Sequence, residues 1–123
     1  AQGDFDFDSG VAAARQLLSR ERRPTAIFAA NDEMAFGVMN VAAKMGLRIP
    51  DDLSVVGFDG TPFSTFVVPS LSTIIRQTDE MAALGAHKLL AQINEGPEAA
   101  AAFDTLVSPR FVPRESTGPV PVS

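Results

Sequence analysis

The sequence has no cysteine and only one histidine, His87, among its 123 residues. The lack of cysteine excludes disulfide bonds, thiolate metal sites and a cysteine nucleophile. A single histidine also excludes the histidine-rich clusters that hold zinc in many enzymes. No apolar run approaches the roughly eighteen residues that a membrane-spanning helix requires. We therefore expect a domain that has no metal site, no cofactor and no membrane span.

Basic residues are fewer than acidic residues, with 10 Lys and Arg against 15 Asp and Glu and a formal net charge of −5. Domains that bind nucleic acid usually have the opposite balance, because neutralising phosphates provides much of their affinity. Hydrophobic residues make up 46% and charged residues 20% of the chain, as in ordinary globular proteins. The segment is expected to fold as one domain or as part of one, and not to bind DNA or RNA by itself.

The common enzyme motifs are also missing. The sequence contains no G-x-G-x-x-G, no G-x-x-x-x-G-K-[ST] and no G-x-S-x-G, so neither a phosphate-binding loop nor a serine hydrolase nucleophile has support. The segment that begins at Asp4 has the alternating acids of a calcium loop. Ser9 and Arg15, however, occupy the positions that require Gly and Glu. None of these motifs therefore supports an enzymatic site in this sequence.

Helical and strand patterns alternate along the chain, which predicts an α/β fold with a mostly parallel sheet. Helical spacing of apolar residues predicts helices over Ser9–Arg22, Asn31–Met45 and Thr78–Glu95. Short apolar runs predict strands over Thr25–Ala30, Leu53–Phe58 and Leu71–Arg76, and an edge strand over Thr105–Val112. The first of these runs is continuous, which is typical of a strand covered on both faces. Residues 63–70 are predicted as a loop or a short helix and residues 97–102 as a loop, and Ser9 is the expected cap of the first helix.

Polar residues directly follow two of the predicted strands. Asn31 comes after the run that ends at Ala30, and Asp59 comes after the run that ends at Phe58. Ligands of open α/β sheets bind beyond the carboxyl ends of the strands, so neighbouring strands would direct both side chains into one crevice. The alternative is that Asn31 only caps a helix and Asp59 only forms a turn. Phe5, before the first helix, either stacks on a sugar or base or belongs to the core.

Five blocks of sequence, in order and over nearly the whole chain, form a specific set. They are Gly3-Asp4-Phe5 with Ser9-Gly10, Pro24–Gly37, Met45–Asp59, Pro69–Ile74 with Gln77, and Val112–Thr117. The set includes A-N-D-E-M-A, V-V-G-F-D and R-E-S-T, and it resembles the LacI/GalR family of transcription regulators. The resemblance implies a periplasmic-binding-protein-like (type I) domain of two α/β subdomains, with a small-molecule effector bound between them.

The resemblance also implies roles for individual residues. Phe5 would stack on the effector, and Asn31 and Asp59 would form hydrogen bonds to it. Gln77 would lie near the crossover between the subdomains as a further contact. The effector would be a small metabolite, a sugar or a purine-like compound. Family members form homodimers, and the residues that match their interface are Phe36, Phe63, Phe66, Val67 and Val68.

The helix-turn-helix, the hinge helix and the N-terminal subdomain of the family have no counterpart in this sequence. The resemblance therefore implies an incomplete C-terminal portion of a cytoplasmic regulator, which reaches operator DNA only through the missing headpiece. Residues 1–76 would belong to the C-terminal subdomain, and residues 77–104 would pack on the missing N-terminal subdomain. Residues 105–117 would return to the C-terminal subdomain, and residues 118–123 would form a frayed tail.

A periplasmic sugar-binding protein of a transport system is the alternative function, because A-N-D-x-M-A and V-x-G-[FY]-D also occur in such proteins. The blocks Arg48-Ile49-Pro50 and Arg114–Thr117 favour the regulator. An α/β enzyme would require a cluster of titratable groups, which the sequence does not show.

Overall fold

The computed structural model of the chain describes residues 1–101 and 105–121. It has the predicted mixed α/β architecture with a mostly parallel sheet. In chain order, the elements are α1 (Phe7–Leu18), β1 (Ala26–Phe28), α2 (Asp32–Lys44), β2 (Ser54–Asp59), a 3-10 helix (Pro62–Thr65), β3 (Ser72–Ile75), α3 (Thr78–Glu95), α4 (Pro97–Ala100) and β4 (Arg110–Val112). No helix in the described part of the chain is long and apolar enough to cross a membrane.

Helix α2 begins and ends close to the predicted positions. The Asn31 side-chain oxygen accepts a hydrogen bond from the Met34 N–H at 2.8 Å and so caps the helix. The two acids that follow the cap lie at the positive end of the helix dipole. Met45 is the C-cap, and Gly46 follows it with a φ of +72°, as is common after helix ends. Among the apolar residues at helical spacing, Ala35, Val38 and Ala42 are buried, but Met45 is 42% exposed.

Helix α1 begins earlier than predicted, and its cap is Asp6, not Ser9. The Asp6 carboxylate accepts a hydrogen bond from the Ser9 N–H at 2.7 Å, while the Ser9 hydroxyl donates to the Asp6 carbonyl at 3.0 Å. The prediction was wrong because the carboxylate three residues upstream satisfies this N–H and starts the helix at Phe7. The helix ends at Leu18, its last buried residue, and not at Arg22.

The sheet has the order β1-β2-β3-β4. β1 pairs with β2, and β2 with β3, both in parallel. The expectation that β1 is covered on both faces is wrong: Ile27 is buried, but Ala26 and Phe28 are exposed, Phe28 to 62%. β4 lies at the other end of the order, as predicted for an edge strand. It begins at Arg110, directly after Pro109, which has no N–H to contribute to a ladder.

Helices α1 and α2 approach each other backbone to backbone at two glycines. A Cβ on Gly10 would lie 2.6 Å from the Met34 Cα, and a Cβ on Gly37 would lie 2.7 Å from the Val11 backbone nitrogen. Both distances are too short for any side chain larger than hydrogen. This close crossing holds the segment before α1 against the start of α2, where the first candidate site residues lie.

The chain divides into two compact units, Ala1–Ile75 with the segment from Phe111 onward, and Arg76–Arg110. In the second unit, α3 covers the predicted range. Several of its apolar side chains are at least half exposed within this unit: Met81, Leu89, Leu90 and Ile93. That residues 77–104 pack on an N-terminal subdomain stays a prediction, and residues 102–104 lie outside the described part.

Residues 97–102 were predicted as a loop, but Pro97–Ala100 forms the short helix α4. Proline is favourable in the first turn of a helix, and the alanines that follow have the highest helix propensity. Ala102 lies outside the described residues. The predicted frayed tail begins at Gly118, whose N–H donates to the Ser54 hydroxyl at 3.1 Å. Its last two residues, 122 and 123, also lie outside the described part.

The R-E-S-T segment fills the gap between the amino ends of β2 and β3. The Ser116 N–H donates to the Ser70 carbonyl, and the Ser116 carbonyl accepts from the Val55 N–H. The Ser116 hydroxyl is fully buried, donates to the Val55 carbonyl at 2.6 Å and accepts from the Ser72 N–H at 2.8 Å. Arg114 donates to the Leu71 carbonyl at 2.7 Å. The segment thus satisfies backbone groups that the two strands do not satisfy for each other.

Replacing Ser116 with alanine is expected to destabilise the protein that carries this chain by about 1–3 kcal/mol, because the buried Ser72 N–H would lose its acceptor. Urea unfolding followed by circular dichroism would measure the loss. The exposed Ser19 offers the matched control, and Ser19→Ala should change the free energy of unfolding by less than about 0.5 kcal/mol. Equal stability of the two variants would contradict the importance of the Ser116 hydroxyl.

Candidate ligand-binding site

Asn31 joins the start of α2 to the segment that precedes α1. While its side-chain oxygen caps α2, its side-chain nitrogen donates a 2.7 Å hydrogen bond to the Phe5 carbonyl. The structure therefore brings two predicted site residues into direct contact. An amide side chain has two N–H groups and two lone pairs, so these bonds leave Asn31, which is half-buried, further capacity to donate and accept.

Phe5 is exposed and does not belong to the core, which was the alternative to a stacking role. Its side chain is 64% exposed, and its φ is +64°, in the left-handed region that a bulky residue rarely adopts. Residues in such conformations are held by their surroundings and occur preferentially at functional sites. The bond from Asn31 to the Phe5 carbonyl is one contact that holds this conformation.

The loop around Phe5 has its own hydrogen bonds. The Asp4 N–H donates to the Ser9 hydroxyl at 2.9 Å, and the Asp6 carboxylate caps α1. Hydrogen bonding from the Ser9 backbone N–H, and then from its side chain, holds the pKa of the Asp6 carboxyl below its usual value. Asp6 therefore stays ionised at neutral pH and remains a cap.

Asp59 is the last residue of β2, a strand that lies between two parallel neighbours. β1 pairs with β2 so that Phe28 faces Val56, and Asp59 itself faces Ile75 on β3. The pairing of β1 with β2 ends three residues before Asn31 and Asp59, so both residues follow the paired part of neighbouring strands. The condition set by the sequence, that the two strands be neighbours, is thus met. Asp59 is half-buried and has a φ of +115°, a second positive value at a candidate contact.

Sequence reasoning missed Asp32, which it treated only as an acid near a helix end. Asp32 is fully buried and accepts hydrogen bonds from the Thr61 N–H at 2.7 Å and from the Thr73 hydroxyl at 2.5 Å. The sequence offers no signal for this burial, because Asp32 and Glu33 are both acids in the first turn of α2. Its partners are far away in sequence, so no local pattern could name them.

The sequence of this chain is similar to sequences of known proteins. Residues 1–117 match the family model of the periplasmic binding protein-like domain. The chain is 44% identical over 115 residues to the probable HTH-type transcriptional repressor ExuR of Bacillus subtilis (strain 168), a match that covers 94% of this chain and 34% of that protein. This chain belongs to the LacI type of periplasmic-binding-protein-like domains. It spans about a third of the length of that LacI-type relative.

Solved structures of LacI-type proteins have the same fold. One is the lac repressor dimer bound to operator and the anti-inducer ONPF, with a TM-score of 0.80 and 32% identity, covering 94% of this chain and 39% of that chain. Another is a complex of the transcriptional regulator CelR with cellobiose, with a TM-score of 0.78 and 31% identity, covering 93% of this chain and 34% of that chain.

The residues predicted to form a dimer interface are mostly exposed in this structure. Phe36, Phe63 and Val67 line one apolar groove together with Phe7, Glu33 and Thr61. Phe63 is 67%, Phe66 76% and Val68 93% exposed. Residues 63–70 contain a short helix, one of the two predicted outcomes. Phe7 was not predicted at this surface, because the sequence gives no contact between it and α2.

Gln77 belongs to the second compact unit of this LacI-type chain. It precedes α3 and donates from its side-chain nitrogen to the Ser108 carbonyl at 3.3 Å. Its predicted role as an effector contact is therefore a proposal that rests on the resemblance. Over residues 1–101 and 105–121, no group of three or more His, Cys, Asp or Glu side chains is placed to hold a metal ion.

Proposed function

We propose that this chain is the effector-binding and dimerisation part of a LacI-type transcriptional regulator. A small metabolite, in our proposal a sugar, binds in a cleft at the carboxyl ends of β1 and β2. Its binding changes the affinity of the regulator for operator DNA, which is bound by a helix-turn-helix segment that this chain does not include. The regulator acts in the cytoplasm and catalyses no reaction.

The observation that carries the proposal is the contact between Asn31 and Phe5 beside the end of β2. The Asn31 amide holds the backbone of an exposed phenylalanine. In the proposal, the Phe5 ring stacks on the apolar face of a sugar ring, while Asn31 and Asp59 bind its hydroxyl groups. An aromatic face beside amide and carboxylate groups matches the two sides of a sugar ring.

Effector binding would alter DNA binding by favouring one arrangement of the two subdomains. This half supplies Phe5, Asn31 and Asp59, and Gln77 contributes near the crossover. The other half supplies the remaining contacts, so only the closed arrangement makes all of them at once. A coupling between two such sites is typically worth about 1–3 kcal/mol, or roughly 5- to 150-fold in affinity. The dimer formed through the groove around Phe36 would hold two operator half-sites together.

A titration of the full-length protein tests the proposal. Operator-containing DNA from its own promoter would be titrated with and without a panel of monosaccharides, disaccharides including cellobiose, and nucleobases. The expected result is that one sugar changes the operator Kd by at least about fivefold. If a nucleobase changes the operator Kd instead, the effector is a purine-like compound and not a sugar. Tight sugar binding without any DNA binding would contradict the regulator and favour a transport receptor, although the ExuR relative is named as a repressor.

A further inference from the structure

Asp32 is the only fully buried acid among the described residues, and the proposed effector contacts do not include it. Its carboxylate accepts three hydrogen bonds: from the Thr61 N–H at 2.7 Å, from the Thr61 hydroxyl at 3.0 Å and from the Thr73 hydroxyl at 2.5 Å. As the first residue of α2, it also lies at the positive end of a helix dipole. These donors satisfy acceptor oxygens of the buried side chain, which would otherwise be costly to remove from water.

Thr61, which donates two of these hydrogen bonds, lies two positions after Asp59. We call residues 59–61 the Asp59 turn. Two consecutive residues of this turn have positive φ, +115° at Asp59 and +73° at Gly60. Such backbone is uncommon for any residue other than glycine, and it persists only where surrounding contacts impose it. Both hydrogen bonds from Thr61 to Asp32 act at the end of the turn, so they restrain the backbone that carries the Asp59 side chain.

Gly57 leaves the space that the Asp32 carboxylate occupies. A Cβ on Gly57 would collide with the Asp32 Oδ1 atom and would lie 3.0 Å from the Leu71 Cδ2 atom. Gly57 therefore belongs to the same arrangement: it lets the carboxylate lie against β2, between the turn and the hydroxyl of Thr73 on β3. A larger residue at the glycine of V-V-G-F-D would thus collide with Asp32, although the two residues are far apart in the sequence.

We infer that Asp32 is the positioning residue of the effector site, and that Thr73 is its support. Asp32 fixes the Asp59 turn, and through this turn it sets the direction in which the Asp59 carboxylate meets the effector. The adjacent Asn31 holds Phe5, so two successive residues at the start of α2 position two contacts by different bonds. This role rests on the proposed function, because Asp32 can position the Asp59 carboxylate for an effector only if an effector binds there.

The test compares variants of the full-length protein by two measurements. Thr73→Val keeps the shape of the side chain but removes the hydroxyl, Asp32→Asn replaces one acceptor oxygen by a donor, and Thr73→Ser restores the hydroxyl. Hydrogen exchange of the Thr61 amide reports the turn without any effector. Binding of the compound that shifts the operator Kd reports the effector site. That compound comes from the panel of sugars and nucleobases described above, which includes cellobiose.

We expect Thr61 amide exchange to rise about tenfold or more in Thr73→Val and Asp32→Asn, and the Kd for that compound to rise about tenfold. The operator Kd without the compound should change far less, and Thr73→Ser should behave as wild type. Ser116→Ala is the matched control, because it removes a buried hydroxyl that bonds Val55 and Ser72 near the amino ends of β2 and β3, whereas the Asp59 turn lies at the carboxyl end of β2. It should leave both readouts near their wild-type values.

Three results would overturn the inference: unchanged Thr61 exchange, a looser turn with unchanged compound binding, or an equal loss of compound binding in Ser116→Ala. A failure of the proposed function looks different, since no panel compound would then bind to or act on the wild-type protein. Thr61 exchange would in that case still decide whether Asp32 holds the turn.

Discussion

The Asp59→Ala variant of the full-length regulator should lose its effector response while it continues to bind operator DNA. A hydrogen bond to a charged group contributes about 1.5–3 kcal/mol, and its loss corresponds to a rise of roughly 10- to 100-fold in the effector Kd. The effect should be this large because Asp59 is half-buried at the end of β2, where few waters can replace the carboxylate. Isothermal titration with the active panel compound, together with an operator-binding assay, would measure both affinities.

Two further variants separate the possible causes of that loss. Asp59→Asn removes the charge but keeps a side chain that tolerates positive φ, so it should retain the turn and still weaken binding. Asp51→Ala removes an exposed aspartate whose contact with Arg48 is 3.4 Å long, and it should change neither affinity. An Asp59→Ala protein with normal effector affinity would refute the assignment of the site.

Introducing a charge at Phe66 should strongly weaken dimerisation of the full-length protein. The ring is 76% exposed in the isolated chain and lies next to Val67, which lines the apolar groove. In a dimer that buries this surface, Phe66→Asp would place an unpaired carboxylate in an apolar interface. Aromatic residues at the centre of an interface often contribute 2 kcal/mol or more, so we expect the dimer Kd to rise by about 100-fold or more.

Sedimentation velocity over a dilution series would measure the dimer Kd. Val120→Asp is the control, since Val120 is 75% exposed and lies outside the residues that match the family interface. It should sediment as the wild type does. A Phe66→Asp protein that remains dimeric at the lowest concentration would show that the proposed surface is not the interface.

Local chemistry explains which parts of the fold could be predicted from the sequence. Asn31, Gly46 and the apolar face between them define α2 within one stretch of chain, and the structure confirms it. Ser9 was expected to cap α1 because it directly precedes the apolar residues at helical spacing, but the Asp6 carboxylate accepts from the Ser9 N–H and the helix begins at Phe7. The covering of β1 could not be predicted either, since burial of Phe28 depends on which elements lie beside an edge strand.

The candidate site could likewise be predicted only in part from the sequence. Asn31 and Asp59 were predicted because strand ends in a parallel sheet meet at one edge, which is a property of the fold class. The bond from Asn31 to Phe5 and the bonds of Asp32 join residues more than twenty positions apart. Their geometry depends on the crossing of α1 over α2 and on the strand register, which no single stretch of sequence encodes.

The R-E-S-T segment has a consequence for synthesis of the protein on the ribosome. β1, β2 and β3 emerge well before residue 116, so in the nascent chain the N–H groups of Val55 and Ser72 lack the Ser116 atoms that accept from them. Until that serine arrives, these strand ends are available to water, to chaperones or to a second nascent chain. Completion of the sheet therefore waits for one of the last parts of this sequence to be translated.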